Sequence, residues 1–299
     1  MSEFFAAVRT EAFMQNALIA GLLVSIACGI MGTYIVVRRI TYIAGGISHA
    51  VLGGIGAAFF FQRAYNMPWL DPLYGALFAA LLAAVIMSYV SLKARQREDT
   101  VIGAMWAIGM AVGIIFLSRT PGYAEDLMSY LFGNILMVTR RNMWLIGGLD
   151  VVVVVVGLLF YKEFMAICFD EEFARLRGIR VDFYYLLLLC LTALTVVLLV
   201  TVVGIVLVIA LLTLPVAVAG YFSRSMWQMM LVSAVLIAVY TTAGLAFSYQ
   251  PNLPAGATTI VIAGAVYILV IIVRAFTHPR GTRGRRASRG TTGPTMWGR

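Results

Sequence analysis

Residues 183–222 form one apolar block about 40 residues long, broken only by Gly204 and Pro215. A membrane helix needs about 20 mostly apolar residues, so this block is too long to cross a bilayer once and just long enough to cross it twice. Similar runs occupy most of the chain. They predict spans at about 13–37, 42–62, 70–92, 101–118, 143–161, 183–203, 204–222, 228–248 and 256–276. Residues 123–138 are apolar but short. They read as a re-entrant or interfacial segment, allowed only where protein covers the backbone polar groups.

Composition agrees. Of 299 residues, 62% are hydrophobic and 12% charged, against roughly 25% charged in a soluble domain. Too few polar groups remain to build a soluble surface. This excludes a soluble enzyme and a disordered chain, and predicts an all-α polytopic bundle of eight or nine spans. The loops are too short for an extramembrane engine or capture domain, and no Gly-x-x-x-x-Gly-Lys-Ser/Thr phosphate loop occurs. The three cysteines, Cys28, Cys168 and Cys190, match neither a zinc site nor a disulfide framework.

Basic residues set the orientation. With Arg38 and Arg39 inside, alternation of nine spans puts 17 of the 22 Lys and Arg on the cytoplasmic side, including the basic tail. The N-terminus is then outside and the C-terminus inside. Residues 1–279 read as the membrane domain. Residues 280–299, rich in Arg, Gly, Ser and Thr, read as a disordered cytoplasmic tail resting on anionic lipid rather than on nucleic acid.

Polar groups at membrane depth are costly and mark function. The second span carries the sole histidine of any span, His49, with Gly45 and Gly53 four residues to either side on one face. Gly46, Ala50 and Gly54 form an adjacent small stripe, and Gly45, Gly46, Gly53 and Gly54 all read as positions where another helix can approach. From residue types, His49 is either a transition-metal or proton ligand, or a hydrogen-bonded packing residue. Asp150, inside the fifth span, is either a ligand facing His49 across a pathway, or an inter-helix hydrogen-bond partner or lumen-facing carboxylate with no ligand. The linker FMAICFDEEFARLRGIRVDF predicts a short cytoplasmic helix over 170–178, with Glu171 and Glu172 preceding Arg175 and Gly178 as terminator. It is either a solvated loop or a docking knob.

The segments ISHAVLGG, GMAVGIIFL, DLMSYLFGNIL, FDEEFARLRGI, LLTLPVAVA and LPAGATTIV occur in that order. Together they resemble the permease subunits of zinc/manganese/iron-type ABC transporters, over about residues 12–275. The resemblance implies a non-enzymatic, multi-pass permease of the inner membrane, forming a homodimer. It implies two partners, an ATP-binding subunit that consumes ATP and an extracytoplasmic metal-binding protein. No cofactor is bound by the chain itself, and the substrate is a divalent metal ion, zinc or manganese. His49 and, more weakly, Asp150 become candidate transit ligands. Glu171, Glu172, Ala174 and Gly178 match the coupling-helix motif that docks on the ATPase. Gly45 departs from the family, which usually carries Asp there. A proton-coupled secondary transporter using His49 and Asp150 is the rival expectation.

Overall fold

The computed structural model describes residues 4, 8–93, 98–121, 140–251 and 253–277. Both the expected segment at 123–138 and the tail at 280–299 lie outside the described residues. Every regular element within them is helical. In chain order these are α1 (Ala12–Arg38), α2 (Thr41–Ala64), α3 (Pro72–Lys93), α4 (Glu98–Arg119), α5 (Arg140–Leu159), α6 (Tyr161–Phe169) and α7 (Glu171–Leu176). They continue with α8 (Val181–Val203), α9 (Ile205–Phe222), α10 (Met226–Tyr249) and α11 (Ala255–Thr277).

Among these, α1–α4 and α8–α11 are eight helices long and apolar enough to cross a membrane. The expected fifth span is a bent pair instead: α5 and α6 meet at 70°. The 143–161 run therefore ends at the bend, and α6 turns the chain toward the short helix α7. Gly204 separates α8 from α9 with φ 82°, a backbone region that glycine enters freely because it has no Cβ.

Helices α1, α2 and α8 form the interior, while α4 and α11 lie largely on the outside. Sequence explains why α1 can be buried on nearly all sides. Its buried positions include Ala17, Ala20, Gly21, Ser25, Ala27, Cys28, Gly29 and Gly32, small residues that let neighbours close in. A Cβ on Gly29 would sit 2.7 Å from Ala234 of α10, and one on Gly32 2.9 Å from the Leu212 carbonyl of α9. Buried hydroxyls turn back onto their own helices. Thr33, Thr192, Thr195 and Thr241 each donate to the carbonyl four residues earlier, at 2.7–2.9 Å. In an apolar medium an unmade hydrogen bond is expensive, so this local satisfaction is what makes a threonine tolerable there.

The reversal from α1 to α2 is tight. Arg39 adopts φ 64°, and Arg39 and Ile40 donate backward to Val36 and Ile35 at 3.1 and 3.0 Å. These paired bonds satisfy the last carbonyls of α1 and fix where Arg38 points.

Candidate functional site

Three places carry the polar chemistry: the imidazole in α2, the carboxyl in α5 and the charged cluster around α7.

His49 is 7% exposed. Its Nδ1 lies 2.9 Å from the Gly45 carbonyl oxygen and 3.2 Å from Ser48 Oγ. A carbonyl can only accept, so Nδ1 carries the hydrogen and the neutral ring keeps its lone pair on Nε2. Ser48 Oγ also donates to the Gly45 carbonyl at 2.7 Å, so that oxygen anchors the turn. The other side of the ring is held by Trp106 of α4, stacked at 4.0 Å between centroids and 28° between planes. Tautomer, tilt and rotation of the imidazole are thus all fixed by the protein, which is how ligating histidines are oriented.

A cleft of about 390 Å³ opens one turn away, lined by Thr41, Gly45, Trp106, Ile209 and Thr213, among others. Gly45 and Trp106 belong both to the cleft and to the surroundings of His49. A Cβ on Gly45 would meet Ile209 Cδ1 at 3.1 Å and Trp106 Cζ3 at 3.6 Å. Gly45 therefore borders the cleft rather than another helix backbone. The packing glycines are its neighbours. Gly53 faces the Gly109 carbonyl of α4, where a Cβ would stand 3.1 Å away, and Gly46 faces Ile102 at 3.3 Å. Gly54 is closest of all, pressed against Gly75 of α3 with no space for a Cβ.

Asp150 is 4% exposed, and its Oδ1 has no hydrogen-bond partner. It faces Ala27 and Cys28 on α1. Its helix packs on α1 and α8, whereas α2 packs chiefly on α3 and α4. Within one copy of the chain, Asp150 thus sits against α1 and His49 against α4. Among the described residues no cluster of three or more His, Cys, Asp or Glu could hold a metal.

The 170–178 segment folds as a one-and-a-half-turn helix. Asp170 caps it, accepting from Phe173 N at 2.9 Å. Gly178, at φ 80°, ends it. Gly178 N donates to Arg175 O at 3.0 Å and Ile179 N to Ala174 O at 3.1 Å, the paired closure of a left-handed C-terminus. Ala174 is fully buried against the bundle. Phe169, Phe173 and Leu176 are exposed, Leu176 by 87%. Glu172 is exposed and Glu171 is turned inward. Glu171 forms an ion pair with Arg38 and a second one with Arg175 at 3.1 Å; Arg175 reaches Asp182 of α8 at 3.0 Å. Partial burial opposes ionisation of Glu171, but the hydrogen bonds from Arg38 and Arg175 outweigh it and hold the carboxyl below its usual range.

Sequence reasoning missed Trp106, Ser91, Tyr185 and the role of Arg38. Arg38 read only as an orientation signal. Its guanidinium also donates to the Ile167 carbonyl at 2.9 Å and lies 5.5 Å from the Tyr185 ring centroid. Nothing in the spacing of Trp106 or Tyr185 distinguishes them from lipid-facing aromatics.

An all-α bundle of eight apolar spans around a locked, buried imidazole defines a polytopic helical membrane protein, and the fold is of the ABC importer permease type. The chain belongs to the ABC 3 transport family, whose profile matches residues 10–274. A membrane protein of Synechocystis sp. is 47% identical over 262 residues, covering 88% of this chain and 91% of that one. The manganese import system permease protein ScaB of Streptococcus parasanguinis is 32% identical, covering 90% and 93%. The solved structure of PsaBC from Streptococcus pneumoniae in complex with Fab superposes with a TM-score of 0.80 at 32% identity, over 90% of this chain and 94% of that one.

Proposed function

We propose that this chain is the translocating subunit of an ATP-driven importer for a divalent transition-metal ion, manganese or zinc. The observation that carries it is His49, whose Nδ1–H is spent on Gly45 and whose Nε2 lone pair has no partner among the described residues. One imidazole beside a cleft supplies a single ligand. That suits a transit site, where binding must be weak enough for the ion to leave. Likeness over most of both chains to a manganese import permease supports the same cargo.

The chain acts with an ATP-binding subunit, an extracytoplasmic metal-binding protein and a second copy of itself in the inner membrane. The ATP-binding subunit seats on α7, where Phe173 and Leu176 present apolar surface, Ala174 fixes the helix to the bundle and Gly178 ends it. With the charge-rule orientation, this face is cytoplasmic. The remaining coordination positions on the ion come from water and from the second copy. In this reading Asp150 is not a ligand.

The test is metal-dependent ATPase stimulation of the complex reconstituted in liposomes, with manganese, zinc and iron supplied in turn. Stimulation by manganese or zinc, lost in His49→Ala at normal membrane abundance, is the expected result. Stimulation that ignores the metal, or survives His49→Ala, would remove the proposal.

A further inference from the structure

The charged cluster at α7 continues into the bundle. Arg38, the last residue of α1, holds the Ile167 carbonyl at 2.9 Å and the Glu171 carboxylate. Its guanidinium meets the face of Tyr185 in α8. Tyr185 is 1% exposed, and its hydroxyl donates to Ser91 Oγ at 3.1 Å. Ser91, near the end of α3, donates in turn to Glu98 in the first turn of α4. Two turns further along α4 stands Trp106, stacked on His49.

This route has a mechanical consequence. Helix α7 hangs on α1 through Arg38 and on α8 through Arg175–Asp182. Neither α1 nor α7 packs substantially on α4. Helix α4 in turn is tied to α2 by close glycine contacts, Gly53 to Gly109 and Gly56 to Gly113, so it and the His49 face move as one body. Helix α8 packs on α3 and on α2, and along that seam Tyr185, Ser91 and Glu98 add a polar link from α8 through α3 to α4. Tyr185 is buried, and a hydrogen bond in a low-dielectric setting resists stretching; the Ser91–Glu98 bond lies at the exposed end of the link.

We infer that Arg38, Tyr185, Ser91 and Glu98 form a strut that carries displacement of α7 to α4 and so to the Trp106 wall of His49. These are positioning residues. The inference rests on the reading of α7 as the seat of the ATP-binding subunit. Its chemistry is that of a transmission element: it binds no ion, and it sets how much transport each ATP cycle yields.

The experiment uses the full complex in liposomes with manganese as cargo, reading uptake and ATP hydrolysis together. Tyr185→Phe removes one hydroxyl and keeps the ring against Arg38; Ser91→Ala removes the next link. Each is expected to lower uptake per ATP about fivefold to tenfold, the scale of one lost hydrogen bond, at normal membrane abundance. The double variant is expected to be no worse than either single one, because a strut cut twice is still cut. Arg38→Lys keeps the charge but replaces the planar, ring-stacking fork by a compact ammonium, and is expected to lower the same ratio. An unchanged ratio in Tyr185→Phe and Ser91→Ala, or losses that add, overturns the strut. Leu176→Glu separates the two levels of the argument. If it leaves capture of the ATP-binding subunit intact, α7 is not the seat and the underlying reading fails. If capture is lost while Tyr185→Phe transports normally per ATP, only the strut fails.

Discussion

The Gly45 carbonyl accepts the Nδ1 hydrogen of His49 at 2.9 Å, one helical turn apart on α2. One glycine thus both orients the imidazole and leaves open the wall of the adjoining cleft. A carboxylate side chain at 45 would sit on the same face as His49, between Ile209 and Trp106. Gly45→Asp is expected to tighten manganese binding and slow its release, because carboxylate plus imidazole is a better donor set than imidazole alone. Equilibrium binding and uptake on the purified complex check this. Unchanged affinity with a drop in membrane abundance would instead report only the cost of a buried charge.

His49→Ala is expected to lower uptake at least tenfold, equivalent to about 1.4 kcal/mol, with normal membrane abundance. His49→Asn keeps a polar group of similar reach but no imidazole. Normal uptake in both variants would take His49 out of the mechanism.

Gly54 has no space for a Cβ against Gly75, whereas a Cβ on Gly103 meets nothing within 4 Å. Gly54→Ala is expected to destabilise the α2–α3 pair by about 1–3 kcal/mol, the ordinary cost of overpacking. Gly103→Ala is expected to be neutral or slightly stabilising, since alanine is the better helix former. Thermal unfolding in detergent should rank the two in that order, and equal melting temperatures would contradict the packing described.

Gly178 sits at φ 80° with open space around it. Its constraint is therefore backbone conformation, not volume. Gly178→Ala is expected to cost about 1 kcal/mol at the end of α7, and a bulky replacement to uncouple ATP hydrolysis from transport or prevent assembly. Assembly and uptake at wild-type levels in the bulky variant would exclude 170–178 as the coupling element.

The Glu171 carboxyl is held below its usual range by Arg38 and Arg175 against the opposing effect of burial. A carboxyl whose folded pKa is depressed stabilises fully above its unfolded value, near 4.5, and that contribution fades as pH falls through the lower folded value. Docking of α7 is therefore expected to be insensitive to pH near neutrality and to loosen below about pH 4.5. Amide exchange across 171–176, corrected for intrinsic rate, should show this dependence in the wild type and lose it in Glu171→Gln.

Much of this protein was legible from residue order. Eight of the nine spans expected from hydropathy are long membrane-crossing helices, because a helix satisfies its own backbone in a bilayer and an apolar run of about 20 residues fits one crossing. Gly178 marked the end of α7 because termination is a local property, decided within a few residues. Small residues four apart in α2 announced close approach. What the sequence could not decide was which element stood behind each face. The 143–161 run carried no proline, and its glycines, Gly147, Gly148 and Gly157, did not by themselves announce the 70° bend into α6. Asp150 and His49 could be weighed as partners because both were costly at membrane depth, but cost says nothing of direction; the structure sets Asp150 against α1 and His49 against α4. Trp106, Tyr185 and Ser91 gained their roles only when α4, α8 and α3 met around Arg38. Those contacts join residues as far apart as Arg38 and Tyr185, or Arg38 and Glu171 at 133 positions, and no local rule of spacing or propensity reaches that far.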